Sequence, residues 1–448
     1  MTNLDAAAEA KLAEIETIAE QVLAAQPENA DAHHALGLIR MRQARWRSAA
    51  GLLQSARKSE PGRPEFTRNY LHALNGLARF EIDKGAYGEA RAALAQALNC
   101  RPGDTDFLCR MSFVLSRMGR AHEALAAAQL AILGATELPE PEDKAGLAYL
   151  AMGKSGLAVQ AFGRAVDKDP GYAAAHVNLG NASLGAGDAE TAASHYDRAI
   201  NLDPANAQAF SNLGLARAAQ HRWTDAENAL RQAIKSDPKF PEAHFNLSRI
   251  LLMEGNYEEG WIENEWRWKC HDFPSSWRQF PYPQWQGEPL KGRRVLVWSE
   301  QGIGDEIMFA NPIPDLLASG AELVLECNDR LAPIFQRSFP DAAVVARSDP
   351  PSGLIDGAGI DYQAPMASLC TYLRSSKISF TANRGRYLEP EPTRVAELRT
   401  RYQALGPGLN IGICWRSGNP IVGHERSAPL GLWRNILTRA GATSSLCN

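Results

Sequence analysis

Small and apolar side chains recur every 34 residues through the first 270 residues of the chain. Prolines mark the period. Each proline of the series after Pro27 is preceded by a small residue 24 positions earlier and by alanines 12 and 5 positions earlier. The prolines are Pro27 and Pro61, then, after a seven-residue insertion, Pro102, Pro170, Pro204 and Pro238. The small residues are Gly37, Ala78, Gly180 and Gly214, then Ala49, Ala90, Ala192 and Ala226, then Ala56, Ala97, Ala199 and Ala233. A degenerate unit before Pro170 keeps Gly146, Ala158 and Ala165. The pattern predicts repeated helix pairs.

The positions of the small residues have a physical reason. Two helices that cross closely leave no room for a bulky side chain at the crossing, and proline ends the second helix because it cannot continue one. These residues resemble the tetratricopeptide repeat family, which implies an α-solenoid with a concave groove for a protein or peptide. We expect a lone helix within residues 1–29 and a solenoid over 30–272. Six full helix pairs would reach about residue 240, and a seventh, degraded pair would run through NYEEGWIENEWRW.

One repeat position carries asparagine three times, at Asn178, Asn212 and Asn246. In the geometry of the resembled family this position faces the concave side. The repeats there resemble those of O-GlcNAc transferases, which implies an amide ladder that holds an extended peptide backbone. The alternative is that asparagine is simply frequent at this position in such repeats. Earlier units carry Ala35, Gly76, Arg110 and Lys144 there, so a ladder would be confined to the last three units.

The character of the sequence changes after residue 270. Prolines and aromatic residues fill 273–292, which we interpret as a packed linker. Apolar segments RRVLVWS, AELVLEC and AAVVAR then alternate with the helical segments DEIMFA and RLAPIFQRSF, which predicts a parallel α/β sheet over 293–388. The helix after the first strand should end or kink near Asn311, because Pro312 and Pro314 follow.

A hinge and a second, incomplete Rossmann-like domain are predicted for 389–448. This domain opens with the strand NIGICW, and a helix is expected around LWRNIL. The residues that follow the strand are fewer than the roughly 100 that a domain typically needs. We therefore expect most of the domain to be missing from this sequence.

The loop after the first strand, SEQGIGDE, admits three interpretations. A dinucleotide fingerprint needs a third glycine where Ile307 stands, although Glu326 at the end of the second strand could contact a ribose. A phosphate loop of the Walker type is excluded because no GK[ST] follows. A sugar-transfer site would use backbone N–H groups for a polar ligand and a carboxylate as base. Lastly, Asp305 could serve only as a helix N-cap.

Residues 289–438 resemble the heptosyltransferase-like glycosyltransferases of GT-B fold. The resemblance rests on the strand, Gly304-Asp305 and the following helix, and on the later segments NIGICWRSGN and ERSAPLGLW. It implies that Asp305 is the general base. It also implies that a nucleotide-sugar donor, used as substrate without a further cofactor, contacts Gly302, Gly304, Arg416, Ser417, Gly418 and Arg426. The alternative is a non-catalytic adaptor that carries a remnant of this fold.

Composition excludes several other classes of function. A net charge of −4 gives no basic surface for nucleic acid, and no apolar run reaches the roughly 20 residues of a membrane span. The N-terminus carries acids where a secretory signal needs a basic start. The seven cysteines show no CxxC spacing and the ten histidines show no ligand spacing, so we expect reduced thiols and no metal. His424 is expected to be an exposed loop residue. A cytoplasmic location is the resulting expectation.

Overall fold

The computed structural model describes residues 3–356, 359–380, 385–404 and 427–437. The chain divides into two compact units, Met1–His271 and Asp272–Asn448, which are described separately. The predicted strand NIGICW lies outside the described residues.

The first unit is a series of helix pairs. A short turn joins the two helices of each pair, and each pair packs against the next pair along the chain. The helices are α1 Asn3–Ala25, α2 Ala30–Arg42, α3 Trp46–Ser59, α4 Pro64–Asp83, α5 Tyr87–Cys100, α6 Thr105–Arg117, α7 Ala121–Gly134, α8 Glu140–Ala151, α9 Ser155–Lys168, α10 Ala173–Gly185, α11 Ala189–Leu202, α12 Ala207–Ala219, α13 Trp223–Ser236, α14 Pro241–Glu254 and α15 Tyr257–Asn264. A 3₁₀ helix, Glu265–Lys269, follows α15. The predicted solenoid is confirmed, including a short second helix in the seventh pair.

The small residues lie where the helices of a pair cross. A Cβ added to Gly37 would lie 2.5 Å from Leu53 Cγ, and one added to Gly214 would lie 2.6 Å from Leu230 Cγ. A Cβ added to Gly146 would overlap the Phe162 ring in the same way. The periodic alanines of the second helices are buried as well. The close crossing inferred from the sequence is therefore present.

The seven-residue insertion lies inside α4. This helix has 20 residues, whereas α2 and α6 have 13 each. It begins three residues after Pro61, as α6 does after Pro102, so the extra residues are within the helix rather than in a loop. Seven residues make two turns and rotate the apolar face by only about 20°. The insertion therefore extends the buried face through Phe66 and Tyr70.

The second unit contains a four-stranded parallel sheet of order β3-β2-β1-β4. The prediction of a small parallel sheet is confirmed, and a complete GT-B half-domain stays a prediction. The strands are β1 Arg294–Trp298, β2 Glu322–Cys327, β3 Ala343–Ala346 and β4 Tyr362–Pro365. The helices are α16 Ile303–Phe309, α17 Ile313–Ala318, α18 Ala332–Ser338, α19 Gly353–Asp356, α20 Leu369–Leu373, α21 Pro392–Gln403 and α22 Arg434–Leu437. 3₁₀ turns cover Met366–Ser368, Lys377–Phe380 and Leu430–Trp433.

The helix after β1 is broken at the expected place. It ends at Phe309, and α17 starts at Ile313 with Pro314 in its first turn, where a missing N–H costs little. Arg374 is buried beside the break and donates to the Asn311 side chain at 2.7 Å and to its carbonyl at 2.9 Å. The break near Asn311 is thus confirmed and is held by a buried guanidinium.

The proline- and aromatic-rich segment packs on the sheet. Trp277 and Phe280 contact the buried Trp298 of β1, with ring centroids 5.6 and 6.1 Å apart from it. Further along, the Trp285 N–H donates to the Gln363 carbonyl of β4 at 2.9 Å. The segment therefore packs on Trp298 and pairs with the edge strand β4, and its Ser275 contacts the loop that follows β1.

Candidate functional site: an amide row in the last repeats and the loop after β1

Asn178, Asn212 and Asn246 lie on the first helices of three successive pairs, α10, α12 and α14. Each side chain is half-buried and donates one amide hydrogen to a side chain of the preceding unit. The acceptors are Asp143 Oδ1 at 2.6 Å, Asn181 Oδ1 at 2.8 Å and Ser211 Oγ at 3.4 Å, respectively. The three asparagines therefore connect successive units.

The chemistry of the acceptors fixes how the amides are turned. Asp143 is fully buried, and its other oxygen accepts from Lys144 Nζ at 3.0 Å. A carboxylate can only accept, so Asn178 must point its NH₂ group inward and leave its Oδ1 for other partners. Asn181 Oδ1 accepts the hydroxyl hydrogen of the buried Tyr196 at 2.7 Å. The same oxygen accepts from Asn212, so Asn212 also points its NH₂ group inward.

Three residues of this row were not singled out from the sequence: Asp143, Asn181 and Ser211. They lie 35, 31 and 35 residues before the asparagines that they bind. These separations differ from the 34-residue repeat by one residue or by three residues, which is about one helical turn. A search for polar residues at such separations from the asparagines could have identified them.

Charge is unevenly distributed over the first helices that carry the row. Helix α10 contains no Asp, Glu, Lys or Arg, and α12 contains only Arg217, which pairs with Asp197 at 3.0 Å. Helix α8, one unit earlier, carries three acids in its first turn, and α14, which carries Asn246, contains Glu242, Arg249 and Glu254. The row is therefore least charged around Asn178 and Asn212.

The loop after β1 does not place Asp305 at the N-cap position that the sequence suggested. Helix α16 begins at Ile303, so Asp305 is its third residue rather than its cap. Its Oδ2 accepts the N–H of the capping residue Gly302 at 3.1 Å, which is the acceptor half of a capping box. The predicted N-cap role of Asp305 is therefore wrong in position, although the carboxylate does cap the helix.

Neither glycine of the loop has a backbone conformation that only glycine can adopt. Gly302 is extended, with φ −109° and ψ 171°, and a Cβ on Gly304 would meet nothing within 4 Å. The left-handed residue is Gln301, with φ 62°, whose N–H donates to Ser275 Oγ at 2.6 Å. The unusual backbone of the loop thus lies just before the glycines.

Three buried glutamates surround the loop and hold the carboxyl ends of the strands. Glu300 accepts the Ala367 N–H at 2.9 Å, and Glu306 accepts the Asn328 N–H at 2.8 Å. Burial raises the pKa of Glu306 above its ordinary value. Glu326 pairs with Arg278 and is fully buried, so a ribose contact there would require this ion pair to open. Glu300 and Glu306 were also missed from the sequence, whereas Glu326 was considered only as a ribose contact.

The other residues that the sequence suggested for donor binding lie outside the described residues: Arg416, Ser417, Gly418 and Arg426. The same holds for His424. Within the described ranges, no group of three His, Cys, Asp or Glu side chains is arranged to hold a metal ion. A search of the same ranges finds no helix with the length and apolarity needed to span a membrane.

Comparison with known proteins supports the repeat assignment. The sequence profile of the tetratricopeptide repeat matches residues 34–105, 144–207 and 211–260. This chain carries tetratricopeptide repeats. The profile does not extend over residues 106–143, where α6 and α7 nevertheless form a helix pair like the others.

One curated relative and several solved structures are similar to parts of this chain. Protein FlbA from Caulobacter vibrioides (strain ATCC 19089 / CIP 103742 / CB 15) is 34% identical over 210 residues, which are 44% of this chain and 35% of the relative. The chain therefore spans about a third of that relative's length. TTC0263, a tetratricopeptide repeat protein of Thermus thermophilus, is 19% identical at a TM-score of 0.39, covering 41% of this chain and 99% of its own. A tetratricopeptide repeat protein of Parabacteroides merdae ATCC 43184 is 14% identical at 0.43, covering 52% and 90%.

Proposed function

We propose that the chain is a protein-binding scaffold whose last repeats hold an extended, uncharged peptide segment along Asn178, Asn212 and Asn246. The observation that carries the proposal is the orientation of the three amides. Each has one N–H engaged within the protein, which leaves the second N–H and the carbonyl oxygen for a ligand. These two groups complement the C=O and N–H of one peptide unit.

The surroundings of Asn178 and Asn212 support an uncharged ligand. Charged side chains attract charged partners and make binding sensitive to salt. Helices α10 and α12 offer amides, hydroxyls and apolar side chains instead, among them Gln208 and Leu215. Binding that depends on this surface should therefore change little between low and high ionic strength.

The test is binding of peptides selected from a phage-displayed library of unstructured 12-residue sequences on the intact chain. Each Asn→Ala change at 178, 212 or 246 should weaken a selected peptide by roughly 2- to 12-fold, the equivalent of about 0.5–1.5 kcal/mol per lost interaction. Asn201→Ala and Asn228→Ala remove exposed asparagines from second helices α11 and α13 and are the matched controls. Equal losses in both sets would contradict the proposal.

A second candidate function is sugar transfer by the second unit. Asp305 is half-exposed at the carboxyl end of β1, next to the point where the strand order reverses between β1 and β4. Open parallel sheets bind ligands at such a point. Because Oδ2 of Asp305 accepts the Gly302 N–H, Oδ1 would take the proton of an acceptor hydroxyl. Arg416, Ser417, Gly418 and Arg426, with Gly302 and Gly304, would bind the diphosphate of a nucleotide-sugar.

This candidate is tested by the release of nucleoside diphosphate from a panel of nucleotide-sugars. Asp305→Asn should reduce the release rate at least a hundredfold, since a general base contributes about 10²–10⁴. Asp341→Asn, at an exposed site of the same unit, is the control. Equal release rates for the wild type and Asp305→Asn would contradict a general-base role for Asp305 and would favour the non-catalytic adaptor.

A further inference from the structure

Two histidines meet inside the fifth helix pair. His176 of α10 and His195 of α11 have their Nδ1 atoms 3.2 Å apart, and His176 Nε2 lies 3.2 Å from the Pro170 carbonyl oxygen. His176 is 6% exposed and His195 is half-buried. The contact therefore lies between the two helices of the unit, two residues from Asn178.

The possible hydrogen positions limit how many protons this pair can hold. A carbonyl oxygen only accepts, so His176 Nε2 carries a hydrogen. One hydrogen fits between the two Nδ1 atoms, which allows a neutral pair or a pair with one added proton. With both rings charged, two N–H groups would face each other. Burial, and then His176, hold the pKa of His195 below its ordinary value.

The seventh helix pair has the same contact with a different partner. His244 occupies the repeat position of His176, 68 residues later, and its Nε2 lies 3.1 Å from the Pro238 carbonyl oxygen. The position of His195 is taken by Glu263, whose Oε2 lies 2.5 Å from His244 Nδ1. Both partners accept, so this site accommodates a fully protonated imidazole, which also stacks on Trp266 at 3.9 Å.

Several charges on the elements packed against α10 and α11 are paired. Glu142 of α8 binds Arg164 and Lys168 of α9, Asp143 binds Lys144, and Arg217 of α12 binds Asp197 of α11. Asp188 caps α11 by accepting the Thr191 N–H, Glu190 accepts from Gln220, and Arg198 is exposed. Burial raises the pKa values of Tyr172 and Tyr196 further from neutrality. Histidine is the side-chain type whose charge ordinarily changes between about pH 5 and 8.

We propose that the fifth helix pair is a pH-sensitive element, in which double protonation of His176 and His195 separates α10 from α11 while the seventh pair stays closed. The opened unit binds two protons where the closed unit binds one. The equilibrium constant for opening should therefore rise about tenfold for each pH unit below about 6.5, and stay constant above it. Release of a bound peptide in acid would follow from the position of Asn178, and this consequence rests on the proposed function.

The test is amide hydrogen exchange of the whole chain at pH 7 and pH 5, expressed as protection factors and without any peptide. In the wild type, protection of α10 and α11 should fall roughly 30-fold relative to α14, because pH 5 lies about 1.5 units below 6.5. His195→Glu gives the fifth pair the partner found in the seventh and should abolish the fall. His195→Gln, which cannot titrate, should also abolish it and serves if the first variant is poorly folded.

Equal falls in the fifth and seventh pairs of the wild type would overturn the inference, and so would a fall retained in both variants. Because no peptide is present, this outcome is independent of whether the amide row binds one.

Discussion

At the scale of single residues, a glycine matters in this chain where a neighbouring side chain already occupies the place of its Cβ. A Cβ on Gly180 would lie 2.6 Å from Tyr196 Cε1. The ring cannot move aside easily, because it is fully buried and its hydroxyl donates to Asn181 at 2.7 Å. Gly185, at the end of the same helix, has nothing within 4 Å of its Cβ position.

These two glycines should respond oppositely to alanine. Gly180→Ala should lower the free energy of unfolding by about 1–3 kcal/mol because it overpacks the helix crossing. Gly185→Ala should raise it by about 0.5–1 kcal/mol, since alanine loses less backbone entropy on folding. Urea unfolding followed by circular dichroism measures both, and a shift of the two variants in the same direction would disprove the crossing argument.

The sequence draws attention to the three asparagines because a strict 34-residue spacing is visible in one chain, and their role in binding a peptide stays a prediction. It did not identify Asp143 or Ser211, because hydrogen-bond partners depend on side-chain reach across units rather than on period. Asp305 was named correctly as a residue of the loop, but its place in the helix was wrong, since helix starts are set by backbone conformation at Gly302 and Gln301.

At the scale of elements, the segment before the sheet has an attachment that its proline- and aromatic-rich sequence does not predict. Arg278 lies between Trp277 and Phe280 and pairs with Glu326, a residue of β2 that is 0% exposed. A buried ion pair adds little by itself, whereas removal of one partner leaves a buried charge without compensation. The segment is thus tied to the sheet by an ion pair as well as by aromatic packing.

A double-mutant cycle checks this connection. Arg278→Met should destabilise the second unit by about 3–5 kcal/mol, because Glu326 then stays buried and unpaired. Adding Glu326→Gln removes that charge and should recover most of the loss. Thermal unfolding of the four proteins supplies the coupling energy. Simple additivity of the two single changes would show that the pair does not hold the segment.

The elements differ in how far the sequence revealed them. The helix pairs, β1, β2, β3 and the break near Asn311 were predicted because apolar periodicity and proline positions are local signals. Strand β4 was missed, since YQAP is short, ends in proline and pairs only through contacts distant in sequence. The packing of Trp277 and Phe280 on Trp298 is likewise a distant contact that no local pattern encodes.

At the scale of the whole molecule, a tetratricopeptide repeat solenoid is joined to a unit with a small parallel sheet. The first helices of the solenoid differ in charge: α8 carries three acids in its first turn, α10 has no charged residue, and α14 again contains Glu242, Arg249 and Glu254. From the row of asparagines on α10, α12 and α14 we infer that recognition is concentrated in the last three repeats. For the second unit, sugar transfer stays a proposal, its alternative is a non-catalytic remnant of that fold, and Asp305→Asn tests the general-base role.

The central claim is that the amide row is the surface on which a peptide partner lies. Hydrogen exchange of the chain with and without a selected peptide tests it most directly, at pH 7 where the histidine pair is closed. The account predicts added protection in α10, α12 and α14, and its loss in a variant with alanine at positions 178, 212 and 246. Protection confined to α2–α9, or protection unchanged in that variant, would contradict it.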